Sequence, residues 1–123
     1  MRAILLIFLG GGLGSVIRFL ISKSVVISGN SFPFATFLVN IIGSLLIGVI
    51  LGWALKENSI SQNTVLFLAT GFCGGFTTFS AFAYENLIFL KTGDFTSFLL
   101  YTIGSLIVGI LAVFIGIWLV RII

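Results

Sequence analysis

The chain has 123 residues, of which 59% are hydrophobic and only 7% charged, and its mean hydropathy is +1.33. A typical soluble domain carries roughly 25% charged residues, so this composition cannot build a soluble surface and describes an integral membrane protein. The net charge of +3 comes from six scattered cations against three acids; with no basic patch, no nucleic-acid partner is expected.

The length suits one domain, residues 1–123. The pattern predicts an all-α fold of four spans, each near the ~20 apolar residues a bilayer requires: about Ala3–Ile21, Phe34–Leu55, Thr64–Leu90 and Phe95–Val120. Short polar connections join them: Ser22–Pro33, Lys56–Asn63 and Lys91–Asp94. The first stretch follows Arg2 as a signal peptide would. It runs on without a small-residue cleavage site, so it is read as a mature helix. This span carries Gly10, Gly11, Gly12, Gly14 and Ser15, a close-approach face of the small-xxx-small kind. Arg18 lies just beyond. A charge at that depth points either to function or to a side chain snorkelling to the interface.

Pro33 suits the first turn of the second span. There Thr36, Asn40, Ser44, Gly48 and Gly52 recur every four residues, one slowly rotating stripe on an otherwise apolar helix. Gly48 and Gly52 fit a packing seam. Asn40 fits one less well, because its amide carries two donors and an acceptor and is costly to bury unpaired.

The third span is long and interrupted. A glycine pair, Gly74–Gly75, and two adjacent threonines, Thr77–Thr78, are poor helix formers. In hydrocarbon, non-helical backbone survives only where it is buried in protein or lines a wet cavity. A break at Gly74–Thr77 is therefore expected to aim carbonyls at something polar near the midplane, as ion sites do. After it come Phe79 and Phe82, three apart on one face. Their ring edges carry partial positive charge and suit an anion path; the plainer reading is rings facing lipid. Glu85 is the one acid well away from a loop, and reads as a surface charge near the helix end or a partner for Arg18. In the fourth span Tyr101, Ser105 and Gly109 repeat the stripe, with two hydroxyls able to turn O–H groups toward a small anion. Gly104, Gly109 and Gly116 are read as packing residues.

His is absent, which removes imidazole metal sites and His proton relays, and Cys73 is the only cysteine. The glycine runs lack a P-loop lysine and no nucleophile–base constellation exists, so no enzyme is expected. Orientation is finely balanced. One side carries Arg2, Lys56 and Arg121; the other carries Lys23 and Lys91, joined by Arg18 if it reaches the interface. Such a chain either inserts both ways, allowing two opposed copies to pair, or is fixed by a weak bias.

Three segments carry a resemblance: Gly11-Gly12-Leu13-Gly14-Ser15-Val16-Ile17-Arg18-Phe19, Thr36-Phe37-Leu38-Val39-Asn40-Ile41-Ile42-Gly43-Ser44, and Gly71-Phe72-Cys73-Gly74-Gly75-Phe76-Thr77-Thr78-Phe79-Ser80-Ala81-Phe82. In this order they resemble the Fluc (CrcB-like) fluoride channels over essentially the whole chain. The resemblance implies a multi-pass protein of the inner (plasma) membrane, an antiparallel dual-topology homodimer with two pores, and passive fluoride export that protects against fluoride toxicity. It implies that Asn40 is the pore asparagine, Phe79 and Phe82 the pore phenylalanines, and Thr78, Ser80, Tyr101 and Ser105 parts of the polar lining. It further implies a vestibule arginine in Arg18, an acid near the pore end in Glu85, and a buried structural Na⁺ held by the Gly74 and Thr77 carbonyls. Gly109 departs from relatives that carry a further serine there. Two other classes remain: a small dual-topology proton-coupled multidrug exporter, which needs an acid in the first span where this chain has none, and a non-transporting membrane assembly subunit.

Overall fold

The structure is a computed structural model that describes residues 1–25, 32–56 and 59–123. Parts of the first two connections, residues 26–31 and 57–58, lie outside the described residues. Among the described residues, four helical spans are long and apolar enough to cross a membrane: Arg2–Ser24, Phe34–Leu55, Gln62–Thr92 and Phe95–Ile122. The described residues contain no strand. Each predicted span is recovered: the second with the same bounds, the first and third longer by one to three residues at each end, and the fourth longer by two at its C-terminal end.

Helix α1 is Arg2–Ser24 and α2 is Phe34–Leu55, starting directly after Pro33. The third span is composite. Ser61 caps α3 (Gln62–Val65) by accepting the Thr64 N–H. A π-helical segment, Leu66–Cys73, follows, then a single turn, α4 (Gly74–Phe76). The chain is extended at Thr77 (ψ 159°) and Thr78 (φ −148°, ψ 125°) and resumes as α5, Phe79–Thr92. Gly93 ends α5 in the left-handed conformation (φ 74°) that favours glycine. Asp94 then caps α6 (Phe95–Ile122), accepting the Ser97 N–H at 3.1 Å. The bonds from Ser97 hold the Asp94 carboxyl below the usual carboxylate range.

The third span therefore breaks, but at the threonines and not at the glycine pair. Gly74 and Gly75 are helical. What Gly75 supplies is close approach: a Cβ there would run into the Gly11 carbonyl. Gly10 and Gly14 face the π-helical segment in the same way, against the carbonyls of Phe67 and Phe72. The α1 seam is thus backbone on backbone, as small residues permit. Gly12, on the opposite face, meets open space.

A second seam joins α2 to α6. Gly48 abuts the Val113 backbone, and Gly116 abuts the Leu45 carbonyl and the Val49 nitrogen. Gly52 packs on Val120. The packing reading of Gly48, Gly52 and Gly116 holds. Gly104 does not fit it, since nothing lies within 4 Å of a Cβ built there. Between the seams, Ile50, Ala69 and Cys73 form the buried core, flanked by Leu46, Ile47, Leu68 and Phe72.

Candidate anion site at the broken third span

The break strands polar groups, and the neighbouring helices satisfy them one by one. Asn40 of α2 takes both backbone groups of Thr78. Its Oδ1 accepts the Thr78 N–H at 2.8 Å, and its Nδ2 donates to the Thr78 carbonyl at 3.0 Å. On the other side, the Gly75 carbonyl accepts from Ser15 Oγ at 3.3 Å and from Arg18 Nε at 3.1 Å. The Cys73 carbonyl accepts the Thr77 N–H at 3.0 Å and Thr77 Oγ1 at 2.8 Å. Thr78 Oγ1 caps α5, accepting the Ala81 N–H at 3.4 Å, and lies 3.3 Å from Ser80 Oγ.

Beside the break opens a cleft of about 500 Å³ between α2, the third span and α6. Asn40, Thr78, Phe79, Phe82 and Ser105 all line it, as do Gly74 and Thr77. Ser44 and Thr70 add two hydroxyls, and the rest of the lining is small or aliphatic. Among the described residues, no charged side chain lines the cleft. The rings of Phe79 and Phe82 lie 5.9 Å apart at 44°, and Phe79 is 79% exposed. Ser105 Oγ is buried and has no hydrogen-bond partner among the described residues. An O–H left unpaired at such a site is a donor in waiting.

Two residues from the expected lining stand elsewhere. Ser80 is exposed and not part of the cleft wall. Tyr101 is fully buried behind it, its hydroxyl donating to Glu85 Oε2 at 2.6 Å. Thr36 Oγ1 donates to Glu85 Oε1 at 2.6 Å. Glu85 is thus neither a surface charge nor the partner of Arg18. Both of its oxygens are claimed by hydroxyls of α2 and α6, and Arg18 is held at the Gly75 carbonyl. Phe82 separates this cluster from the cleft, its ring 5.0 Å from that of Tyr101.

The α2 stripe serves a different neighbour at each turn. Thr36 meets Glu85, Asn40 braces Thr78, Ser44 lines the cleft, and Gly48 and Gly52 seat α6.

Sequence reasoning assigned no role to Asn86 or Thr102, and read Ser15 only as part of the close-approach face of α1. Asn86 Nδ2 donates to the Phe82 carbonyl at 3.0 Å, and its Oδ1 accepts from Thr102 at 2.9 Å. The signal was available: Glu85–Tyr101 and Asn86–Thr102 are adjacent polar pairs at the same separation across the α5–α6 hairpin.

Comparison with known proteins agrees with this architecture. The family described as CrcB-like protein, Camphor Resistance (CrcB), matches residues 5–117. The chain is 49% identical over 120 residues to a protein of Phocaeicola vulgatus called fluoride-specific ion channel FluC, covering 97% of this chain and 98% of the relative. A protein of the same description from Gloeothece citriformis is 49% identical over 122 residues, covering 98% of each. Another, from Azobacteroides pseudotrichonymphae, is 42% identical over 117 residues and covers 94% of each.

Proposed function

The chain belongs to the CrcB-like family, and from that premise we infer that it is a fluoride-specific ion channel, a multi-pass protein of the plasma membrane. The observation that carries this reading is the cleft: neutral donors and aromatic rings beside a broken helix, with no charged side chain in its wall among the described residues. Fluoride is small and strongly hydrated, so a path for it must offer hydrogen-bond donors in place of water. A lysine or arginine in direct contact with the ion would hold it too tightly for fast passage. Ser105 Oγ, unpaired among the described residues, is such a donor. The Phe79 and Phe82 edges offer weaker positive charge beside it.

Transport is passive and exports fluoride, protecting the cell from its toxicity. Liposomes loaded with fluoride should release it when a potassium ionophore relieves the charge build-up, with no proton gradient. Chloride-loaded liposomes should not. Comparable chloride release would sink the reading, and release that requires a proton gradient would favour an exporter.

The functional unit is an antiparallel homodimer. The cleft is open on one side, and Phe79 in its wall is largely exposed, which suits closure by a second copy. The Gly74 and Thr77 carbonyls are proposed to hold one structural Na⁺ in that dimer. The residues fit such an ion. In a continuous helix the Thr78 N–H would satisfy the Gly74 carbonyl, but it is given to Asn40. The Ala81 N–H, the helical donor for Thr77, is given to Thr78 Oγ1. Two main-chain oxygens thus lose their usual donors where both residues line the cleft. When bound, Na⁺ supplies positive charge that lowers the barrier for a nearby anion in low dielectric. Removing Na⁺ should weaken the dimer or slow efflux, read by size-exclusion chromatography and by efflux. Thr77→Ser keeps the carbonyl and the bond to Cys73, so it should leave Na⁺ dependence unchanged; a dimer and efflux indifferent to Na⁺ would refute the site.

A further inference from the structure

We propose that Arg18, with Ser15, is a positioning residue that clamps the Gly75 carbonyl and so fixes how the broken span presents its neighbouring carbonyls to the ion path. The proposal rests on the channel reading for its meaning, but on the geometry of α1 for its argument.

The Gly75 carbonyl is a product of the break. In a continuous helix it would accept the Phe79 N–H. The extended residues Thr77 and Thr78 carry Phe79 into the next helix and leave that carbonyl without its ordinary donor. Water cannot serve it in a packed seam, so another part of the chain must. Two side chains of α1, three residues apart and on one face, do so together: Ser15 Oγ and Arg18 Nε. The α1 backbone is brought within reach by Gly11 and Gly14, which leave no room for a Cβ on Gly75 or on Gly14 itself. The glycine seam and the two donors are one device.

Its effect follows from the order of groups along the chain. The Gly75 carbonyl is held by α1, and both backbone groups of Thr78 are held by Asn40 of α2. The carbonyls of Gly74 and Thr77 alternate with these two anchored positions. Bracing the chain on both sides sets their direction without touching them. Among the described residues Arg18 forms no ion pair, and Arg18 is not in the cleft wall. Its bond, and not the bare presence of charge in the path, is what the structure shows.

Side-chain geometry separates these two roles. Gln places its amide nitrogen as many bonds from Cα as Arg places Nε, so Arg18→Gln keeps the donor and loses the charge. Arg18→Lys keeps the charge but has a methylene where Nε stood. Arg18→Met keeps bulk and loses both.

The experiment is hydrogen–deuterium exchange of the peptide covering residues 74–79, with fluoride efflux measured on the same preparations. Exchange reads local opening of the break directly. Arg18→Met should raise exchange there about tenfold, and Ser15→Ala by a smaller factor of about three. Arg18→Gln should stay within about threefold of the unsubstituted protein, and should retain more efflux than Arg18→Lys. If Arg18→Met does not fold, Ser15→Ala carries the test, because it removes one of the two donors and leaves the charge. Unchanged exchange in both Arg18→Met and Ser15→Ala overturns the proposal. So does Arg18→Lys matching the unsubstituted protein while Arg18→Gln fails, which would assign Arg18 to attracting the anion by charge. Absence of fluoride efflux from the unsubstituted protein would refute the channel reading alone, since exchange would still report on the clamp.

Discussion

One side chain, Asn40, carries two demands. One N–H and the carbonyl oxygen of its amide are spent on Thr78, which leaves one N–H for the cleft. Replacing it with Asp removes the donor to the Thr78 carbonyl and puts a negative charge beside the proposed path. For an anion about 4 Å away at an effective dielectric near 20, that repulsion is about 4 kcal/mol. Fluoride efflux should fall by about a hundredfold or more, while size-exclusion chromatography still reports a dimer. Phe79→Ile and Phe82→Ile keep apolar bulk and remove the ring edge, so they should slow efflux more than they lower the melting temperature. If all three variants transport at the unsubstituted rate, these residues serve packing alone.

Ser105 makes the opposite demand on stability. Its hydroxyl is buried and unpaired. Leaving such a group unsatisfied costs about 1–3 kcal/mol. Ser105→Ala removes that cost and the waiting donor together. Thermal stability should rise or stay level while fluoride efflux falls several-fold, an ordering that a packing role cannot produce. A loss of stability with unchanged efflux would show that the hydroxyl serves the fold.

Between elements, glycines decide whether helices touch, and the two seams differ in tolerance. At Gly116 a Cβ would meet the backbone of Leu45 and Val49, which cannot step aside. Overpacking of this kind costs about 1–3 kcal/mol, so Gly116→Ala should lower the melting temperature and the yield of dimer. At Gly109 the nearest atoms to a Cβ are Ser44 Oγ at 3.7 Å and Ile41 Cδ1 at 4.0 Å, ordinary contacts. Gly109→Ser should fold normally and place another hydroxyl near Ser44, with efflux equal to or above that of the unsubstituted protein. Collapse of Gly109→Ser would mean that this face is closed by a second copy. The same elements show what hydropathy can and cannot reveal. Four spans and one interruption are legible, because lipid tolerates few polar runs. The π-helical segment Leu66–Cys73 is not, since its residues are as apolar as those of an α-helix and only the backbone bonds differ. The glycine pair is misread for a physical reason: low helix propensity yields to packing when a bare backbone lets α1 approach. Candidate cleft residues such as Asn40, Phe82 and Ser105 are legible as polar or aromatic groups out of place. The partners of Glu85 and Arg18 are not, because pairing opposite charges ignores the hydroxyls and stranded carbonyls that compete for them.

For the whole molecule, orientation follows from where its cations lie. The structure simplifies the count, because Arg18 is bound at the broken span and does not belong to a connection. That leaves Arg2, Lys56 and Arg121 on one side and Lys23 and Lys91 on the other. A difference of one cation is a weak instruction under the positive-inside rule. On the proposed dual-topology reading, a chain so balanced inserts in both directions, and opposed copies close each other's clefts. Adding three lysines to the connection that carries Lys23 should force one orientation; adding three to the connection that carries Lys56 should force the other. Each biased chain expressed alone should lose fluoride efflux, because it meets only copies of its own orientation. Co-expression of the two should restore it, since chains of opposite orientation can then pair. The rescue separates loss of a partner from damage to the fold, which no second chain would repair. Full efflux from either biased chain alone would overturn the antiparallel dimer and leave a parallel assembly or a single copy as the transporting unit.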